Sequence, residues 1–143
     1  MVYYLSLGAN LGDREATLRR ALQMIEQQIG VVLRCSSFFY SEPWGFESDH
    51  AFCNLCCALE SDKTPMEVLS LTQEIERALG RKKKSTPSAT HPSYSDRTID
   101  IDLIRVFGED GEEICMDSSE LTIPHRFWTE REFVTVPLAE IMQ

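Results

Sequence analysis

No apolar run in this 143-residue chain approaches the roughly 20 residues a membrane-spanning helix needs. The opening Met1-Val2-Tyr3-Tyr4 lacks the basic stretch of a secretory signal, so a cytoplasmic location is the default expectation. Positive charge is scarce: 14 Lys and Arg stand against 23 Asp and Glu, a net charge of -9. That balance speaks against broad nucleic-acid or membrane-surface binding, which draws on a basic face. The exception is local. Arg81, Lys82, Lys83 and Lys84 run together and read equally well as a solvated loop or as a place for an anionic ligand. Repeats and low-complexity tracts are absent. The cysteines (Cys35, Cys53, Cys56, Cys57 and Cys115) are odd in number and make no disulfide framework. Cys53 and Cys56 have CxxC spacing but lie in an alternating segment. Residues three apart on a strand face opposite sides, so this pair cannot chelate one metal. Reduced, buried thiols are expected.

What is present is a single-domain length, 1–143, with an ordinary share of apolar and charged residues. Tyr3, Leu5 and Leu7 alternate with Tyr4 and Ser6 and predict a first strand. Gly8 to Asp13 predicts a turn with Asp13 as helix N-cap. It lacks the lysine and spacing of a P-loop. Leu18, Ala21, Leu22, Ile25 and Ile29 mark a helix face that Gly30 stops. Val31 to Tyr40 is β-branched and aromatic and predicts one strand. Ser41 to Asp49 is a loop. Phe52 to Glu60 alternates, with Cys53, Leu55, Cys57 and Leu59 facing the core and Phe52, Asn54, Cys56 and Ala58 on the other side.

Thr64-Pro65-Met66-Glu67 is a capping box with proline at the first helical position. The helix it opens turns Val68, Leu71, Ile75 and Leu79 inward and ends at Gly80. Residues 81 to 96 form the longest loop, expected to be mobile. Gly108 and Asp110-Gly111 predict a hairpin returning around Ile114 to Met116. Leu121 to Ile141 is mixed and carries no clear assignment. The order β-α-β-β-α-β predicts an α+β fold: a ferredoxin-like two-layer sandwich with an extra hairpin and C-terminal additions. Helices would cover one face. The other would carry the charged strand positions and, with them, Phe52 and Asn54.

The chemistry concentrates in Arg97-Thr98-Ile99-Asp100-Ile101-Asp102. Ile99, Ile101 and Leu103 alternate with Asp100 and Asp102, and the apolar run continues to Phe107. On a strand the two carboxylates share one face, with Cα atoms roughly 6.5–7 Å apart. They repel unless a cation lies between them. Two Mg²⁺ ions about 3.5–4 Å apart suit the gap, and paired metals serve phosphoryl transfer. Arg97 supplies the positive charge that a polyphosphate needs.

Four segments together resemble the 6-hydroxymethyl-7,8-dihydropterin pyrophosphokinase family. They are Leu5-Ser6-Leu7-Gly8-Ala9-Asn10-Leu11-Gly12-Asp13; Glu42-Pro43-Trp44-Gly45 with Phe52-Cys53-Asn54; Arg97 to Leu103; and Leu121-Thr122-Ile123-Pro124-His125 through Arg131 and Phe133. The resemblance implies pyrophosphoryl transfer from ATP to the pterin hydroxymethyl group, with AMP leaving, in folate biosynthesis. It implies two Mg²⁺ ions on Asp100 and Asp102, with Arg81 and Arg97 assisting catalysis. It places Gln73, Glu76, Arg81, Arg97, His125 and Arg131 at the nucleotide. Around the pterin it places Pro43, Trp44, Gly45, Phe52, Asn54, Tyr94 and Phe133. A flat, hydrogen-bonding ring suits stacking plus directed polar contacts. No dedicated general base is evident.

The chain departs from the family pattern in places. Tyr94 stands where tryptophan is frequent, three residues before Arg97. The Arg81–Arg97 loop is longer than in short members, Arg126 follows His125, and a C-terminal extension seen in some relatives is not expected. The implied partners are the two small-molecule substrates, with no nucleic acid, membrane or obligate protein partner. Two competing readings are a non-catalytic ferredoxin-like nucleotide- or ligand-binding module and a two-metal nuclease, which the acidic surface disfavours.

Overall fold

The computed structural model describes residues 1–41, 51–80 and 99–142. Its elements run β1 (Val2–Ala9), α1 (Arg14–Gln28), β2 (Val31–Cys35), β3 (Phe39–Ser41), β4 (Phe52–Glu60) and α2 (Pro65–Ala78). Then follow β5 (Asp100–Phe107), β6 (Glu113–Ile114), β7 (Met116–Asp117), β8 (Thr122–Ile123) and α3 (Glu132–Ile141). The main sheet has the order β2-β4-β1-β5-β6, with β3 also paired to β4, and β7–β8 form a separate ribbon. Neighbouring strands are antiparallel. Among the described residues no helix is long and apolar enough to cross a membrane.

Alternation builds the first core. Tyr3, Leu5 and Leu7 of β1, Leu55, Cys57 and Leu59 of β4, and Ile101 and Leu103 of β5 share a face. They pack with Leu18, Ala21 and Ile25 of α1 and Val68 and Ile75 of α2. Both helices start as the sequence predicts. The Asp13 side chain accepts from Ala16 N–H at 3.1 Å, and Thr64 and Glu67 exchange the two capping-box bonds with Pro65 just inside. After α1, Gly30 passes so close to β4 that a Cβ there would collide with the Glu60 carbonyl oxygen. Only glycine fits that approach.

Several expectations change. The turn expected from Gly8 begins later, because Gly8 and Ala9 still pair with β4 as part of β1. Val31–Tyr40 is not one strand. Ser36 Oγ accepts from Cys56 N–H at 2.9 Å, and Ser37 is drawn to the Glu140 carboxylate of α3. The ladder is therefore interrupted between β2 and β3. The second sheet face is not left bare. Tyr4, Cys56, Ala58 and Ile104 form a second core with Val134, Leu138 and Ile141 of α3. Leu121–Ile141, unassigned from sequence, thus supplies β8, a short 3₁₀ turn (Trp128–Glu130) and a third helix. As expected, Cys53 and Cys56 face opposite cores.

A bulge in β5 links fold to site. Leu103 opposes Leu5 and Arg105 opposes Tyr4, so Ile104 is the extra residue. Ile104 joins the second core, and its carbonyl accepts from His125 N–H at 2.8 Å. The loop after β8 is thereby pinned to the strand that carries Asp100 and Asp102.

Candidate active site

The register lines up the polar residues of one sheet face in rungs. Phe39 of β3, Asn54 of β4, Gly8 of β1 and Asp100 of β5 are successive cross-strand partners. The next rung is Cys56, Ser6 and Asp102. Residues directly opposite one another share a face. Asn54 and Asp100 therefore flank Gly8, with Asp102 one rung along. Both aspartates are half-buried. Two carboxylates held side by side on a partly desolvated surface favour a bound cation. Their hard oxygen donors match Mg²⁺, which keeps waters or phosphate oxygens as its other ligands. Among the described residues no cluster of three or more His, Cys, Asp or Glu could form an all-protein metal cage.

Asp102, His125 and Arg131 line one cleft of about 370 Å³, with Ile101, Leu121 and Arg126. His125 Nδ1 accepts from Phe127 N–H at 3.3 Å. The neutral imidazole then carries its proton on Nε2. Burial, and after it the Arg131 charge, hold the His125 pKa below its ordinary value, with Asp100 pulling the other way. The Arg131 guanidinium lies between two rings, 5.8 Å from Phe127 and 5.7 Å from Phe133. Arg126, at the cleft rim, is 3.9 Å from Asp117.

Asn54 is buried. Its Nδ2 donates to Ser41 Oγ at 2.9 Å and Phe39 O at 3.3 Å, so β3 fixes the amide. Phe52 lies two residues before it on the same face and is partly exposed.

A family model described as 7,8-dihydro-6-hydroxymethylpterin-pyrophosphokinase (HPPK) matches residues 4–143. The chain belongs to the HPPK family. It is 43% identical over 142 residues to a 2-amino-4-hydroxy-6-hydroxymethyldihydropteridine pyrophosphokinase of Porphyromonas gingivalis, covering 98% of this chain and 90% of the relative. A Bacillus subtilis enzyme of the same description is 35% identical over 143 residues, covering 99% and 78%. The fold is similar to that of a solved HPPK-DHPS in complex with substrates, with a TM-score of 0.69 and 14% identity. That match covers 99% of this chain and 40% of the solved one. The HPPK chain is thus an ATP-dependent diphosphotransferase, passing pyrophosphate from ATP to hydroxymethyldihydropterin in folate synthesis.

The structure gathers Asp100, Asp102, His125 and Arg131 on one side of the HPPK sheet, with Phe133 beside Arg131. Phe52 and Asn54 lie across Gly8 from Asp100. Gln73 is exposed on α2 and does not line the cleft. Glu76, outside the inward stripe of Val68, Leu71, Ile75 and Leu79 read from the sequence, is buried as well. It accepts from Ile101 N–H at 2.7 Å, on the side of β5 where, among the described residues, no strand pairs at Ile101. Pro43, Trp44, Gly45, Arg81, Tyr94 and Arg97 lie outside the described residues, as does the 81–96 loop.

Sequence reasoning passed over Gly8 and Ser41 as site residues. Gly8 carried a signal, since a glycine within an alternating strand marks close approach of another group. Ser41, in what read as a loop, carried none.

Proposed function

We propose that residues 1–143 act as one pterin pyrophosphokinase domain in which Asp100 and Asp102 hold two Mg²⁺ ions against the ATP triphosphate. The placement of both carboxylates on one sheet face beside the His125–Arg131 cleft carries this reading. Bound Mg²⁺ would neutralise phosphate charge and lower the pKa of the attacking hydroxyl. The chain's own part is positioning. Asn54 and Phe52 orient the pterin, with Phe133 and the backbone of Pro43 to Gly45 completing its pocket. Tyr94 is assigned to the pterin as well. His125 Nε2–H and the Arg131 guanidinium donate to phosphate oxygens, and Arg81 and Arg97 add charge where it develops. Gln73 and Glu76 sit on the nucleotide side, Glu76 by fixing the backbone between the two aspartates.

The hydroxymethyl oxygen attacks the β-phosphorus of ATP, the pyrophosphoryl group moves, and AMP departs. The strand order β2-β4-β1-β5, reached through β-α-β-β-α-β, supports the ferredoxin-like layout. A cytoplasmic location goes with ATP as co-substrate and with five free thiols. Small molecules suffice as partners. Incubation with ATP, Mg²⁺ and 6-hydroxymethyl-7,8-dihydropterin is expected to release AMP. Release of ADP, or ATP binding indifferent to Mg²⁺, overturns the reading.

A further inference from the structure

Cys35 of β2 and Cys57 of β4 stand directly opposite each other in the sheet. On the next rung Ser36 N–H donates to the Cys56 carbonyl at 2.9 Å. Hydrogen-bonded and non-hydrogen-bonded pairs alternate along an antiparallel ladder, so Cys35 and Cys57 form a non-hydrogen-bonded pair. Such pairs have Cα atoms about 4.5 Å apart and their side chains close together. That lies inside the roughly 4.4–6.8 Å span of a disulfide. Opposite residues point to one face, here the face of the first core, where Cys57 is fully buried. Cys35, on the edge strand, is exposed. The other thiols lack this arrangement. Cys56 faces the second core, Cys53 opposes Tyr40 and Ala9, and Cys115 lies between β6 and β7.

We propose that Cys35 and Cys57 are a redox-sensitive pair that a hydroperoxide converts into a cross-strand disulfide. The Cys35 sulfur attacks the peroxide O–O bond. It becomes a sulfenic acid, while the leaving oxygen takes the thiol proton and departs as water or an alcohol. The Cys57 sulfur then attacks the Cys35 sulfur. The S–S bond forms, the S–OH bond breaks, and the hydroxide leaves as water with the Cys57 proton. Two thiols are oxidised and one peroxide is reduced. An excess of dithiol reverses the change by exchange.

Burial pushes the Cys57 thiol well above its ordinary range. Cys35, exposed as a residue but with its sulfur partly covered, is raised first by that partial desolvation and then by Glu26. Little thiolate is present at neutral pH, so the reaction with peroxide is slow and needs sustained exposure to the oxidant. The bond would tie the edge strand to the strand that carries Asn54. It would close a segment containing β3 and the Pro43–Gly45 stretch. This inference does not depend on the pyrophosphokinase reading.

The test uses the full chain with Cys115→Ser, treated with hydrogen peroxide and analysed by intact mass and peptide mapping. The expected result is loss of two hydrogens, a peptide joining Cys35 to Cys57, and recovery of both thiols with dithiothreitol. Cys35→Ser, at an exposed position, is expected to abolish the linked peptide whether or not Cys57→Ala folds. Oxygen added at Cys35 without a link overturns the proposal. So does a link from Cys35 to a second molecule, or one involving Cys53 or Cys56 instead.

Discussion

Asn54 lies across Gly8 so closely that a Cβ at residue 8 would come within 2.6 Å of Asn54 Oδ1. The amide cannot simply swing away, because Ser41 Oγ and Phe39 O hold its other end. Gly8→Ala is therefore expected to displace the Asn54 amide, which we propose orients the pterin. Catalytic efficiency toward the pterin should fall about 10- to 100-fold, the scale of an ångström-sized misplacement. Affinity for ATP should change little. Steady-state kinetics with each substrate varied in turn separates the two. An equal loss toward both substrates would show that the rung misplaces Asp100 as well.

Asp100 and Asp102 are half-buried on a strand whose opposite face carries the core residues Ile101 and Leu103. Removing either carboxylate should leave that core intact while taking away a proposed Mg²⁺ ligand. Asp100→Ala and Asp102→Ala are expected to lower kcat by at least about a thousand-fold. The thermal midpoint should stay within a few degrees of the parent. A melted Asp100→Ala protein would assign that carboxylate to the fold instead.

Much of this fold is legible because period 2 and period 3.6 are strong signals. Tyr3-Leu5-Leu7, Cys53 to Leu59, and the helix faces of Leu18 and Val68 all occupy the core side that alternation gives them. The capping box is equally local, and it forms as written. What stays hidden depends on contacts far apart in sequence. Ser36 and Ser37 look like strand residues until Cys56 and Glu140 draw them out of register. The face holding Tyr4 and Cys56 looks half-polar until Val134 and Leu138 of α3 cover it. The paired aspartates are visible from spacing alone. Their neighbours His125 and Arg131 are not, because a bulge at Ile104 sets the loop that brings them close.

Glu76 shows the same limit and yields a separate test. It lies outside the stripe of Val68, Leu71, Ile75 and Leu79 that periodicity turns inward, yet its carboxylate receives Ile101 N–H between the two site aspartates. Leaving that buried donor without its partner costs about 1–3 kcal/mol. Glu76→Ala is expected to lower stability by that amount and to speed amide exchange at Ile101. Glu76→Gln keeps an acceptor oxygen and should recover most of the stability. If Glu76→Ala is as stable as the parent and only the ATP KM rises, the residue serves the nucleotide alone.

His125 provides a pH-dependent test of the cleft. Burial first, then the neighbouring Arg131, depress its pKa, and Asp100 only partly offsets them. In the unfolded chain the imidazole has its ordinary value of about 6.5. Between that value and the lower folded one, the unfolded state binds more protons. Folding stability should therefore be unaffected by His125 above pH 6.5 and should decline as pH falls below it. Protonation also breaks the Phe127 N–H···Nδ1 bond, because a charged imidazole has no acceptor. A triphosphate in the cleft brings negative charge and reverses the balance, so the His125 pKa should rise when ATP and Mg²⁺ bind. NMR titration of the imidazole resonances, assigned with His125→Asn, follows both states. The free protein is expected to titrate below 6.5 and the complex higher, with proton uptake on ATP binding near pH 6. A free-state midpoint above 6.5 would overturn the depression by burial and Arg131, and no proton uptake on ATP binding would mean that the nucleotide phosphates do not reach His125.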